Sequence, residues 1–301
     1  MSASYLEATA RERILALLDA GSFNELLPPA QRVVSPHLGQ LDAPVSFDDG
    51  VIIGEGLLGG RPVMAAAQEG GFMGGAVGEV HGAKLVGLIK RAIRKQVAGV
   101  VLLLETGGVR LHEANAGLIA VSEVMRAVLE ARAAGIPVIV LVGGANGCFG
   151  GMGIVARCAN TVIMSEEGRL AMSGPEVIET ANGVEEFDSR DRALVWRTTG
   201  GKHRYLIGDC QQLVGDDTET FRQAAMDALT ALAQSGAPEL TLAALEAEQE
   251  MLRRRIATFA HAEDPMDIWA ELGVERPETV PMLEAAAFTA MAQGLRIPFK
   301  A

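Results

Sequence analysis

Two glycine turns, each set directly after an apolar run, carry the chemistry this sequence is equipped to do. The first follows Val100–Leu104 and reads Thr106-Gly107-Gly108-Val109-Arg110. The second follows Ile136–Val142 and runs Gly143-Gly144-Ala145-Asn146-Gly147-Cys148-Phe149-Gly150-Gly151. In both, a strand-like run ends in glycines and a helix-like segment follows. That layout puts backbone N–H groups at the carboxyl ends of two strands, where open α/β sheets bind ligands. Two such turns aimed at one point can hold a developing oxyanion between two peptide N–H groups. A helix starting just beyond adds its unpaired first-turn amides and its positive dipole end.

The elements needed to position these turns are legible from spacing. Residues 4–20 predict a helix with Leu6, Ile14, Leu15 and Leu18 on one side, and Pro28, Pro29 and Pro36 punctuate the link that follows. Residues 45–69 predict a hairpin, with Val51–Ile53 and Pro62–Ala67 flanking a Gly59-Gly60 turn. Val86, Ile89, Ile93 and Val97 recur at helical spacing, which makes Val86, Ile89 and Ile93 the expected apolar side. A helix over 112–134 leads to the strand at 136–142, and another helix begins near Gly151. Short strands are predicted at Thr161–Met164 and Arg169–Met172, then an alanine-rich helical region over 219–260 and a Pro-punctuated tail. The expected division is an N-terminal helical segment and linker (1–40), a main domain (41–260) and a tail (261–301). The irregular placing of helices favours a layered ββα superhelix over a closed barrel.

Composition removes several classes of function. The 301 residues are 49% apolar, enough for one large core. A net charge of −12 disfavours general nucleic-acid binding, which needs clustered Lys and Arg. Cys148, Cys158 and Cys210 are too far apart for a C-x-x-C motif, and a sparse odd count fits a reducing cytosol. The first 20 residues lack the apolar core of a signal peptide, and no run reaches the ~18 apolar residues of a membrane span. The expected location is therefore cytoplasmic, with no membrane and no nucleic-acid partner. Gly54-Glu55-Gly56-Leu57-Leu58-Gly59 fits a dinucleotide pattern, yet another strand follows it where a helix is required. Gly200-Gly201-Lys202-His203 lacks the spacing and hydroxyl of a phosphate loop, and no G-x-S-x-G elbow occurs. The histidines at 37, 81, 112, 203 and 261 form no metal-ligand cluster. Cys148 has no base near it in sequence and reads as a packing residue.

The run Gly70-Gly71-Phe72-Met73-Gly74-Gly75-Ala76-Val77-Gly78, then Gly82-Ala83-Lys84, resembles the carboxyltransferase domain of biotin-dependent acyl-CoA carboxylases. That family carries a Ser-Gly-Gly-Ala-Arg turn, matched by Thr106–Arg110, and a second Gly-Gly turn, matched by Gly150-Gly151. Its Gly-Pro-x-Val-Ile-Glu segment is matched in full by Gly174–Glu179. His112-Glu113 stands where the family usually has Gln-Glu. Four motifs in order over residues 70–215 imply the α/β crotonase-like ββα superhelix, with flanking N- and C-terminal helices. The absence of cysteine before Cys148 departs from carboxyltransferase β subunits that carry a four-cysteine zinc ribbon. Phe149–Gly153, Asn182–Asp191 and Trp196-Arg197 are most similar to β subunits of biotin-independent malonate decarboxylases.

The resemblance implies decarboxylation of a malonyl group carried on an acyl carrier protein, through an enolate. An amide in the Gly107–Val109 turn and one at Gly150 or Gly151 would hold the enolate oxygen. Arg110, His112 and Glu113 are candidates either for proton transfer or for anchoring the loop. Gly74, Gly75, Lys84, Arg91 and Lys95 are the expected contacts of the substrate and its CoA-derived phosphopantetheine-type arm. Lys84, Lys90, Arg91, Arg94 and Lys95 form a basic stripe that is equally well a solvated helix face. No cofactor or metal is expected on the chain. The expected partners are a homologous γ subunit, which completes the active site, and the carrier protein. A carboxyltransferase subunit of a biotin-dependent carboxylase, and a non-catalytic half of such a complex, are the alternatives.

Overall fold

The computed structural model of the protein describes residues 3–236 and 240–297. Its spine is one seven-stranded sheet whose strands lie side by side in chain order. These are β1 (Asn24–Leu26), β2 (Val51–Leu58), β3 (Arg61–Gln68), β4 (Gly99–Leu104), β5 (Val138–Val142), β6 (Thr161–Ser165) and β7 (Gln212–Val214). The β1–β3 pairs are antiparallel and those from β3 to β7 are parallel. Parallel pairing requires crossovers, which α2 (Glu79–Lys95), α3 (Asn115–Ala133) and α4 (Gly150–Cys158) supply.

Every residue of β4 and β5 is buried, as expected for parallel strands covered on both faces. Alternation splits them between two cores. Val100, Leu102, Leu104, Val138, Val140 and Val142 pack with α2 and α3. Val101, Leu103, Ile139 and Leu141 meet α1 (Ala10–Leu17) and α8 (Thr218–Ser235) on the other face. With helices on both faces and at both ends, this is the expected α/β layered architecture.

Several local expectations need correction. The first helix has eight residues, starting at a Thr9–Glu12 capping box, and Leu15 points outward. Tyr5, Ile14, Leu17 and Leu18 of the N-terminal segment belong to the second core. In α2 the buried face is Leu85, Leu88, Ile89 and Ala92, with Val86 and Ile93 at its margin. The predicted strand at 169–172 is reduced to isolated bridges, Leu170 with Cys148 and Arg169 with Gly200.

The region 219–260 divides into α8 and α9 (Leu242–Phe259), and residues 237–239 between them lie outside the described residues. The expected tail folds into α10 (Pro265–Glu271) and α11 (Ala285–Ala292), whose Trp269 and Phe288 enter the main core. Residues 298–301 of that tail lie outside the described residues. Three helices were missed: α5 (Pro175–Asn182), α6 (Arg192–Thr199) and α7 (Gly201–Leu206).

Candidate active site

The two glycine turns sit at the carboxyl ends of β4 and β5, and they touch through bare backbone. A Cβ on Gly108 would lie 3.0 Å from the Gly150 Cα, and one on Gly150 would lie 2.9 Å from the Gly108 Cα. Both glycines have positive φ, +113° and +62°, which L side chains rarely adopt. Only paired glycines permit this approach.

The amides of the turns divide into engaged and open ones. Gly107 N–H donates to Gly74 O (2.8 Å), Gly108 N–H to Thr106 Oγ1 (2.9 Å) and Gly150 N–H to Met172 O (2.8 Å). Among the described residues, Val109 N–H and Gly151 N–H have no acceptor. Gly151 lies in the first turn of α4, whose N-cap Phe149 makes no side-chain cap. That helix end therefore presents an open donor and its dipole. One open amide on each of two touching turns is the arrangement that holds an oxyanion.

A buried polar network fixes the first turn from behind. Arg110, with no exposed side-chain surface, donates from Nη1 to both Asp49 oxygens (2.9 Å each) and to Glu113 Oε1 (3.0 Å). Its Nη2 donates to Asp49 O (3.1 Å). Glu113 also accepts from Ser35 Oγ (2.7 Å) and from the Glu79 amide (2.6 Å). Burial pushes Glu113 up, but the Glu79 amide, Ser35 hydroxyl and Arg110 guanidinium together hold it below the usual carboxylate range. Burial raises Asp49 despite the Arg110 charge beside it. Glu113 is thus an anchor of the loop through Arg110, while His112 is exposed to solvent. Asp49, Ser35 and His81 were invisible as site residues, since Ser35–Glu113, Asp49–Arg110 and the His81 amide with Asp49 are contacts across 30 or more positions in sequence.

Of the other expected contacts, Gly74 faces open space, whereas Gly75 packs its backbone against the Glu105 carbonyl. Three of the five cations in the basic stripe are engaged within the chain. Lys84 is buried, and its ammonium donates to Asp48 O (2.7 Å) and to Val51 O. Burial lowers its pKa. The cause is the rotated register of α2, which turns position 84 inward. Arg91 and Lys95 share Glu55, at 3.3 and 2.7 Å. Cys148 is buried, and burial pushes its thiol well up, so it supplies no thiolate. Among the described residues no cluster of His, Cys, Asp and Glu fits a metal, and no helix is long and apolar enough to cross a membrane.

The carboxyl transferase domain family matches residues 7–245, a span that holds both turns and the network behind them. The chain belongs to that family. A malonyl-S-ACP:biotin-protein carboxyltransferase of Malonomonas rubra is 42% identical, over 97% of this chain and 96% of its own. A propionyl-CoA carboxylase beta chain of Saccharopolyspora erythraea is 34% identical, over 67% of this chain and 36% of its own. Among solved structures, a subunit of a Pseudomonas malonate decarboxylase hetero-tetramer in complex with malonate superposes with a TM-score of 0.78. It is 37% identical and covers 96% of this chain and 97% of its own. The crotonase-like fold of this family therefore accounts for the sheet and its helical layers. The Gly174–Glu179 segment leads into α5, started by Pro175, and a Cβ on Gly174 would lie 3.9 Å from Phe149 Cγ, beside the second turn.

Two buried histidines give the site's scaffold a pH signature. His81 Nδ1 meets Asp49 O (3.1 Å) and its Nε2 meets the Gln68 amide (3.0 Å). His203 Nδ1 accepts from Trp269 Nε1 (3.1 Å). Burial lowers both to about 3, so both are neutral in the fold. Unfolded histidine, near 6.5, binds a proton that these cannot, so stability is complete above about 6.5 and falls as pH drops toward 3. We expect the NMR signals of both imidazoles to stay at neutral positions from pH 8 to 5 while the thermal midpoint falls below pH 6.5. Titration of either ring near pH 6.5 in the folded protein would refute this.

Proposed function

We propose that this chain is the β subunit of a malonate decarboxylase, converting malonyl-S-acyl carrier protein to acetyl-S-acyl carrier protein and CO₂. The observation that carries the reading is the pair of open amides, Val109 and Gly151, on touching turns. When the C–C bond to the carboxylate breaks, CO₂ leaves and the electron pair moves into the thioester, placing negative charge on its oxygen. Two preorganised N–H groups stabilise that charge, at roughly 3–4 kcal/mol for each donor in comparable sites. The α-carbon of the enolate then takes a proton. Glu113 is committed to Arg110, so on this chain no buried carboxylate of the network is free to donate it, and the partner subunit becomes the place to look. The near full-length likeness to the Pseudomonas malonate decarboxylase subunit supports the substrate class.

The turns are flanked by exposed apolar side chains: Leu111 (79%), Leu118, Ile119 (61%), Ile154, Met172 and Val177. A rim of this kind at an active-site mouth marks a protein interface. We assign it to the homologous γ subunit, in an interface well over ~2,000 Å². The carrier arm enters beneath that subunit and not along α2, where Lys84, Arg91 and Lys95 are already engaged.

The Malonomonas rubra relative's name favours one alternative, in which the same enolate chemistry exchanges CO₂ with a biotin protein. Coexpression of this chain with its partner subunit and carrier protein, followed by CO₂ release from malonyl thioesters with and without avidin, separates the two. We expect avidin-insensitive release from the complex and negligible release from the chain alone, which should self-associate. Avidin-sensitive turnover would establish the alternative. A fully active monomer would refute the shared site.

A further inference from the structure

A second buried ion pair lies directly before the first turn, and the chemistry above leaves it unused. Glu105 directly follows β4, and its carboxylate is paired with Arg13 of α1, each side chain being 7% or less exposed. The two residues are 92 positions apart. Arg13 is itself fixed, with Nε donating to Tyr5 O (2.8 Å), Nη2 to Leu6 O (3.0 Å) and the guanidinium over the Tyr5 ring. The other Glu105 oxygen accepts the Asn146 amide (3.1 Å), which belongs to the second turn. Asn146 Nδ2 in turn donates to Gly70 O (2.8 Å). The Glu105 amide donates to Gln68 Oε1 (3.1 Å), and its carbonyl lies against Gly75. Gly70 and Gly144 wall the carboxylate so closely that a Cβ on either would collide with it.

One residue, directly before the first turn, therefore links that turn with the second turn and the 70–75 loop. A buried carboxylate is costly unless it is paired and hydrogen-bonded, and a neutral residue would pack here without that cost. Scaffold stability alone gives no reason for a buried acceptor at this point.

We propose that Glu105 is a positioning residue for the reaction. Its side-chain oxygen on the Asn146 amide sets the separation of the two open amides, while Arg13 balances the charge that this acceptor carries. The inference rests on the oxyanion reading given under Proposed function. A displacement of about 1 Å in a preorganised site costs up to ~10² in rate, which sets the scale of the effect.

The test removes both charges in two ways and asks which keeps the bond to Asn146. In the assembled complex, R13M/E105Q retains an acceptor for the Asn146 amide, and R13M/E105M does not. We expect the glutamine variant to keep kcat within about threefold of wild type. The methionine variant should lose about tenfold or more in kcat with KM unchanged, because an interaction realised in the transition state is lost. Both should have similar thermal midpoints. In parallel, hydrogen exchange should quicken in residues 143–151 of the methionine variant only, with α2 unaffected. Equal kcat in the two variants, or losses that follow KM or thermal stability, would overturn the proposal. Wild-type complex that releases no CO₂ would overturn the functional reading instead. The exchange comparison then decides the positioning role: selective quickening in the methionine variant upholds it, and equal exchange overturns it.

Discussion

Replacing Gly151 with proline is expected to lower turnover of the assembled complex by about 10² to 10³, the effect of losing one oxyanion donor. Proline is suited to this experiment because it deletes the N–H itself. Position 151 lies in the first turn of α4, where that N–H has no helical acceptor and proline is tolerated. The added ring carbons need their own control, since a Cβ at 151 would lie 2.6 Å from Val121 Cγ1 and must shift that side chain. Gly151→Ala supplies it, keeping the N–H while imposing the same Cβ. The expected order is wild type, then alanine with a modest loss, then proline with a large one at similar KM. Alanine and proline variants of equal activity and equal stability would remove Gly151 from the oxyanion site. Bulky residues at Gly108 are less informative, because the clash there is with Gly150 backbone and the turn itself would move.

Arg110→Met should destabilise the protein by about 3–5 kcal/mol, the range for a buried ion pair broken from one side. The substitution leaves Asp49 and Glu113 buried together without the guanidinium that now binds both. Their protonated forms are then favoured in the fold, so both folded pKa values rise above the unfolded ones. Stability of the variant must therefore recover relative to wild type as pH falls, and the deficit should be larger at pH 8 than at pH 5. Urea unfolding at the two pH values measures this directly. Arg110→Lys restores charge without the two-pronged geometry and is expected to recover only part of the loss. Turnover should fall with either substitution, since the Val109 amide sits beside the anchor. A deficit under about 1 kcal/mol, or one independent of pH, would show that the network does not hold the turn.

Strand runs and turn residues gave the fold its plain signal. Val100–Leu104 and Val138–Val142 are unbroken apolar stretches, and only parallel strands buried on both faces accommodate such runs. Where periodicity was shared among neighbouring apolar residues, it misled. On α2 the pattern Val86, Ile89, Ile93 and the pattern Leu85, Leu88, Ile89, Ala92 are one step apart, and burial chose the second. That single step decides whether Lys84 meets solvent or the carbonyls of 48 and 51. Short helices such as α6 and α7 were missed because eight or fewer residues carry little periodic signal.

The glycines pointed to a chemistry only as a pair: one strand, Gly-Gly and helix is an ordinary α/β connection, and two in order are what suggests paired backbone donors. What sequence spacing could not supply was contact between distant segments. Asp49 with Arg110, Arg13 with Glu105 and Gly108 against Gly150 are all pairings that folding makes. Which amides remain open is decided by the same contacts, because Gly74, Thr106 and Met172 take up three of the five. Residue type marked where closely approaching backbone donors could lie, since they need glycine and a helix start. The tertiary structure left Val109 and Gly151 open, because a donor is available only when no other part of the chain has already used it.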